Sequence, residues 1–141
     1  MKKQKVVLSD KLYPARKNRM YAHAIRKGNT IYVTGQTART KEHMIVHRHD
    51  PLAQLEVIFQ NMKDVLEAAG ASMQDVVKLN FYLIDMLDMY DMIPTIRKYF
   101  GDRTPARTSV QVSQLAHPNL LIEVDAIAVI GEEEEIIVDG E

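Results

Sequence analysis

"DVVKLNFYLID", residues 75–85, is the stretch on which the fold turns. Val77, Leu79, Phe81 and Leu83 alternate onto one face, while Val76, Tyr82 and Ile84 cover much of the other. A period of two is the signature of a strand, and apolar residues on both sides mark a strand buried on both faces. The segment therefore reads as a central strand. Elements of this chain cover one side, and the other side needs cover from elsewhere.

A helix precedes the central strand. Asp50 can accept from the free amides of a first turn and Pro51 suits the first helical position. Leu52, Leu55, Ile58, Phe59, Met62, Val65, Leu66 and Ala69 then recur at threes and fours until Gly70. A second amphipathic helix follows over Asp88–Phe100, carried by Met89, Met92, Ile93, Ile96, Tyr99 and Phe100 and closed by Gly101. Pro94 lacks an amide hydrogen and is expected to kink or delay it. Upstream, "YAHAIRKGNTIYVTG" (21–35) reads as a hairpin turning at Gly28-Asn29, where glycine and asparagine tolerate positive φ. "QTARTKEHMIVHRHD" (36–50) is polar and aperiodic, a loop with at most a short strand at 44–46. Downstream, "TSVQVSQL" (108–115), a turn at "AHPN" and "LLIEVDAIAVI" (120–130) read as two strands joined closely enough for an antiparallel pair. The tail "GEEEEIIVDGE" (131–141) reads as a solvated acidic end, with room for a brief edge strand at 136–138.

This order specifies an α+β fold, a mixed sheet with two helices packed on one face. The expected organisation is a single domain over 1–141, with a core at 21–130 and the acidic tail at 131–141. Two helices leave the opposite sheet face uncovered, which favours subunit contact there. With 18 lysines and arginines against 19 aspartates and glutamates, the net charge of −1 offers no electrostatic footprint for nucleic acid or a membrane surface. No cysteine is present, so disulfides, thiol nucleophiles and thiolate metal sites are excluded. No segment has a signal-peptide core or membrane-spanning length, and a cytoplasmic location is expected.

Phosphate-binding and dinucleotide glycine motifs are absent, which leaves three groups of residues. His43, His47 and His49 with Asp50 could ligate a divalent ion, but their strongly polar surroundings favour a solvated loop and no metal. Met86, Met89 and Met92, with Met62 and Met73, read as adaptable core filling. The third group is Arg107 with Glu123. Alternation in 120–130 puts Glu123 and Asp125 on one face with Leu121 and Ile127, opposite Ile122, Val124, Ala126 and Ala128. Two readings stand open. Arg107, or Arg103 nearby, pairs with one of these carboxylates and staples adjacent strands. Alternatively, Arg107 offers its planar fork to a substrate carboxylate while Glu123 activates water.

"PARTSVQVSQL" (105–115) followed by "LIEVDAIAVI" (121–130) resembles the signature of the RidA/YjgF family, deaminases that hydrolyse enamines and imines of 2-oxo acids. The hairpin "YAHAIRKGNTIYVTGQTA" (21–38), the pair Gly35-Gln36 and the long segment 54–89 are similar to the family as well. The resemblance implies a chorismate-mutase-like fold in a homotrimer, with sheets around a central barrel and ligand clefts between subunits. It also implies an imine deaminase acting without a cofactor on a small 2-imino or enamine acid such as 2-aminoacrylate or 2-iminobutanoate. Carried over by position, Arg107 matches the carboxylate-binding arginine and Glu123 the water-holding glutamate. Tyr21 matches an aromatic wall residue, Thr34 stands where a serine often lines the pocket, and Ser109 replaces a common cysteine. Two other functions fit the same likeness: a trimeric carboxylate-binding or chaperone-like protein, and an aminoacrylate hydrolase of pyrimidine breakdown.

This chain also departs from the pattern. Arg19-Met20 replaces a Gly-Pro before the tyrosine, and Ile93, beside Pro94, replaces a frequent asparagine. A pocket lined by Ile93 is expected to be more apolar and to prefer a larger or differently substituted imine.

Overall fold

The computed structural model describes residues 5–12, 22–102, 104–131 and 135–140. Tyr21, Arg19, Met20 and Arg103 lie outside them. The central strand is β4, Val76–Leu83, and it is flanked on both edges. The six strands are β1 (Lys5–Val7), β2 (Ala24–Lys27), β3 (Thr30–Gln36), β4, β5 (Ala106–Gln111) and β6 (Ile122–Val129), in the sheet order β1-β2-β3-β6-β4-β5. All neighbours run antiparallel except β4 and β5, so the sheet is mixed.

Local chemistry explains the elements. Helix α1, Pro51–Ala68, starts where the Asp50 carboxylate accepts from the Ala53 amide at 3.0 Å, with Pro51 in the first turn. It stops at Gly70, whose φ of 86° suits glycine, and the Arg26 guanidinium donates to the terminal Ala69 carbonyl at 2.8 Å. The β2–β3 hairpin turns at Gly28-Asn29, with Gly28 at a φ of 61°. Helix α2, Met89–Phe100, follows a short 3₁₀ turn at Met86–Asp88 and continues through Pro94.

Both helices lie on one face. There Leu55, Ile58, Phe59, Met62 and Leu66 of α1 and Met92 and Ile96 of α2 join Leu79, Phe81 and Leu83 of β4 and Ile122 and Val124 of β6, all fully buried. Phe59 is the hub, with ring centroids 6.3 Å from Phe81 and 5.2 Å from both Tyr99 and Phe100.

The structure corrects several expectations. β5 and β6 do not pair, because β4 lies between them and β5 runs parallel to β4 at the sheet edge. A close connection allows a hairpin without requiring one, and β6 instead buries its apolar residues between β3 and β4. A bulge between Val76 and Lys78 turns Val76 into the core and leaves Val77 exposed, reversing the expected faces of that pair. The stretch at 44–46 makes only the isolated Arg39–Ile45 bridge, and residues 136–138 form no strand. β1 was not anticipated, because three residues are too few to show a period.

Candidate functional site

Arg107 and Glu123 occupy opposite faces of the sheet. Residues paired across a ladder share a face, and Arg107 pairs with Leu79, which points into the helix layer. Ser109, two residues on, confirms this side, since its hydroxyl lies 3.3 Å from the Met89 sulfur of α2. Glu123 pairs with Tyr82 and shares the uncovered face with Asp125. The two residues are three ladder positions and two strands apart, roughly 10 Å in each direction. A single chain therefore neither staples Arg107 to Glu123 nor brings both to one ligand.

Around Arg107 the helix side of the sheet edge opens into a groove of about 330 Å³. Met86 and Leu87 come from the 3₁₀ turn, and Met89, Tyr90 and Ile93 from the first turns of α2. Among the described lining residues Arg107 carries the only charge. The Met86 amide donates to the Gln111 carboxamide at 3.0 Å, fixing the 3₁₀ turn over the end of β5. Met86 and Met89, expected as core filling, pack against the core and also line this groove.

On the open face the Asp125 carboxylate is held from two sides. Asn80 Nδ2 donates to one oxygen at 2.7 Å and Tyr82 Oη to the other at 2.9 Å. Glu123 stands two residues away against Gly35, where a Cβ would come within 3.0 Å of the carboxyl carbon. Glycine at 35 thus makes room for the glutamate beside the β3 bulge between Val33 and Gln36. Burial pushes the Glu123 carboxyl above its ordinary range, and the Asp125 charge pushes it further. The Tyr82 phenol is also raised, first by its hydrogen bond to Asp125 and next by burial. Thr34, beside Gly35, donates its hydroxyl to the Ala22 carbonyl at 2.5 Å.

The histidines of the 36–50 loop do not converge. His43 and His47 both adopt positive φ, and no group of three or more metal-binding side chains is gathered among the described residues. Sequence reasoning missed Gln54, a fully buried amide on α1. It donates to the carbonyls of Val46, His47 and Asn119 and accepts from the Leu121 amide at 2.8 Å, tying the loop and the entry to β6 onto the helix. A glutamine within the apolar stripe of α1 was the available signal.

The class defined by this architecture is a mixed sheet with helices on one face, an arginine groove at its edge and a carboxylate pair on its open face. The chain belongs to the Endoribonuclease L-PSP family, whose model matches residues 13–130 and whose members include the RidA, YjgF and RutC proteins. It is 42% identical over 108 residues to a RutC family protein of Pyrococcus abyssi, covering 77% of this chain and 84% of the relative. It is 36% identical over 113 residues to the 2-iminobutanoate/2-iminopropanoate deaminase of Dermatophagoides farinae, covering 78% and 85%. The crystal structure of RidA from an Antarctic Psychrobacter superposes with a TM-score of 0.79 at 33% identity, covering 89% of this chain and 99% of that one.

Proposed function

We propose that this protein is an oligomeric hydrolase of 2-imino acids, working as a homotrimer whose sites each combine Arg107 of one copy with Glu123 of the next. The observation that carries this reading is the split itself. A fixed cation in an apolar groove and a carboxyl of raised pKa are complementary parts of an imine-hydrolysing site, and in one chain they face apart. The open face also leaves Tyr32 and Val110 exposed, a surface suited to cover by other copies. The named deaminase among the relatives supports the reaction class.

The chemistry asks little of the protein. An enamine tautomerises to the imine, water adds to the imine carbon, and the carbinolamine collapses to the 2-oxo acid and ammonia. Arg107 holds the carboxylate through a charge-assisted fork. Glu123 orients water, takes a proton as water adds and returns it to the departing nitrogen, a role helped by a pKa above the usual carboxylate range. Ser109 supplies polar backbone groups beside Arg107, and Thr34 belongs to the wall near Glu123; Tyr21, to which the resemblance gives an aromatic wall role, lies outside the described residues. Such positioning plus proton transfer is worth on the order of 10²–10⁴ in rate.

The test compares wild type with Arg107→Ala on enzymatically generated 2-iminobutanoate and 2-aminoacrylate, with thermal melting of both proteins. The expected outcome is hydrolysis well above the spontaneous rate, reduced at least about 100-fold by the substitution at an unchanged melting temperature. Equal rates with and without wild-type protein would put a small-carboxylate carrier ahead.

A further inference from the structure

The groove is larger than a three-carbon acid can fill. Leu87 is 71% exposed and Tyr90 79% exposed, two large side chains standing in water beside Arg107. Met86, Met89 and Ile93 form the rest of the wall, and thioethers and a branched aliphatic group adapt to varied hydrocarbon shapes. A volume of about 330 Å³ lies at the lower end of the ~300–1,000 Å³ that encloses drug-sized ligands. An acid anchored at Arg107 by its carboxylate would therefore leave most of the groove empty unless its side chain were long. No described lining residue other than Arg107 offers a charge to a second polar group.

From this geometry we infer that the preferred substrates are 2-imino acids with aliphatic side chains of about four carbons, such as 2-imino-4-methylpentanoate, over 2-aminoacrylate and 2-iminopropanoate. This rests on the deaminase reading above and names its substrate class. The carboxylate takes the Arg107 fork, and the side chain lies along Met86, Leu87, Met89, Tyr90 and Ile93. Such imines carry no β leaving group in the parent amino acid, so β-elimination cannot supply them. The supplying reaction is oxidation of an aliphatic amino acid at its α C–H and amino N–H, with two electrons passed to a flavin or nicotinamide acceptor.

The experiment generates imines from alanine, 2-aminobutyrate, norvaline and leucine with an amino-acid oxidase and measures kcat/KM for each. Calorimetric binding of pyruvate and 4-methyl-2-oxopentanoate runs in parallel. Burying hydrocarbon predicts about a fourfold gain per methylene, so the leucine-derived imine should exceed the alanine-derived one at least about tenfold. Leu87→Ala, on an exposed side chain whose loss leaves the core intact, should shrink that ratio to about threefold or less at an unchanged melting temperature. A flat or inverted series overturns the substrate class and leaves the deaminase reading standing. Should no imine be hydrolysed, the deaminase reading fails alone if 4-methyl-2-oxopentanoate still binds about tenfold tighter than pyruvate. Equal binding, or none, overturns the groove assignment as well.

Discussion

The two faces of the sheet use the same strands for opposite purposes. On the helix face Leu79, Phe81, Leu83, Ile122 and Val124 are completely buried within one apolar cluster. On the open face the intervening residues are Lys78, Asn80, Tyr82, Glu123 and Asp125, all half-exposed, with Asn80 and Tyr82 hydrogen-bonded to Asp125. The first face holds the chain together by itself. The second keeps carboxylates at the centre of a sheet, where desolvation is costly and Glu123 has its pKa raised as a result. A fold spends stability in this way at a working surface, and only register across three strands shows that the arginine groove lies on the other side.

Three substitutions sharpen the contrast. Phe81→Ala empties a fully buried ring site against Phe59 and should cost about 3–5 kcal/mol, read by chemical denaturation. Val77→Ala, at the bulge and 45% exposed, should cost less than about 1 kcal/mol in the same assay. Equal losses would mean that the bulge is as tightly packed as the helix face. Asp125→Asn tests the electrostatics. A carboxyl with a raised folded pKa favours the folded state below its unfolded value of 4.5, and that advantage is lost as pH rises through the folded pKa. Removing the Asp125 charge should move the Glu123 titration, followed by carboxyl NMR, toward 4.5 without reaching it, because burial is the larger cause. An unmoved midpoint would show that the Asp125 charge does not reach Glu123.

Much of the layout was legible from local chemistry. The Asp50-Pro51 start of α1, the Gly28-Asn29 hairpin and the alternation that separates Glu123 from Val124 each depend on neighbours in sequence. Strand order was not legible, because periodicity assigns a residue to a face without naming the strand beside it. The 112–121 connection therefore suggested a β5–β6 hairpin that β4 in fact interrupts. The same gap hid the separation of Arg107 from Glu123. Glu123 stood out as a charge on an apolar strand and Arg107 as a charge at the mouth of another, but their relative faces follow from the Leu79–Arg107 and Tyr82–Glu123 pairings alone. The groove was legible only in part, through Ile93, since Leu87 and Tyr90 look like ordinary helix-surface residues until the 3₁₀ turn and the start of α2 set them beside Arg107.

The most direct test mixes two inactive proteins. Arg107→Ala and Glu123→Gln are each expected to lack activity, and unfolding and refolding them together would form mixed oligomers. If each site takes its arginine from one copy and its glutamate from the next, roughly a quarter of the sites in a random trimer regain both groups, and imine hydrolysis returns to about that fraction of wild type. Mixed trimers, verified by native mass spectrometry, that remain inactive would contradict the shared site.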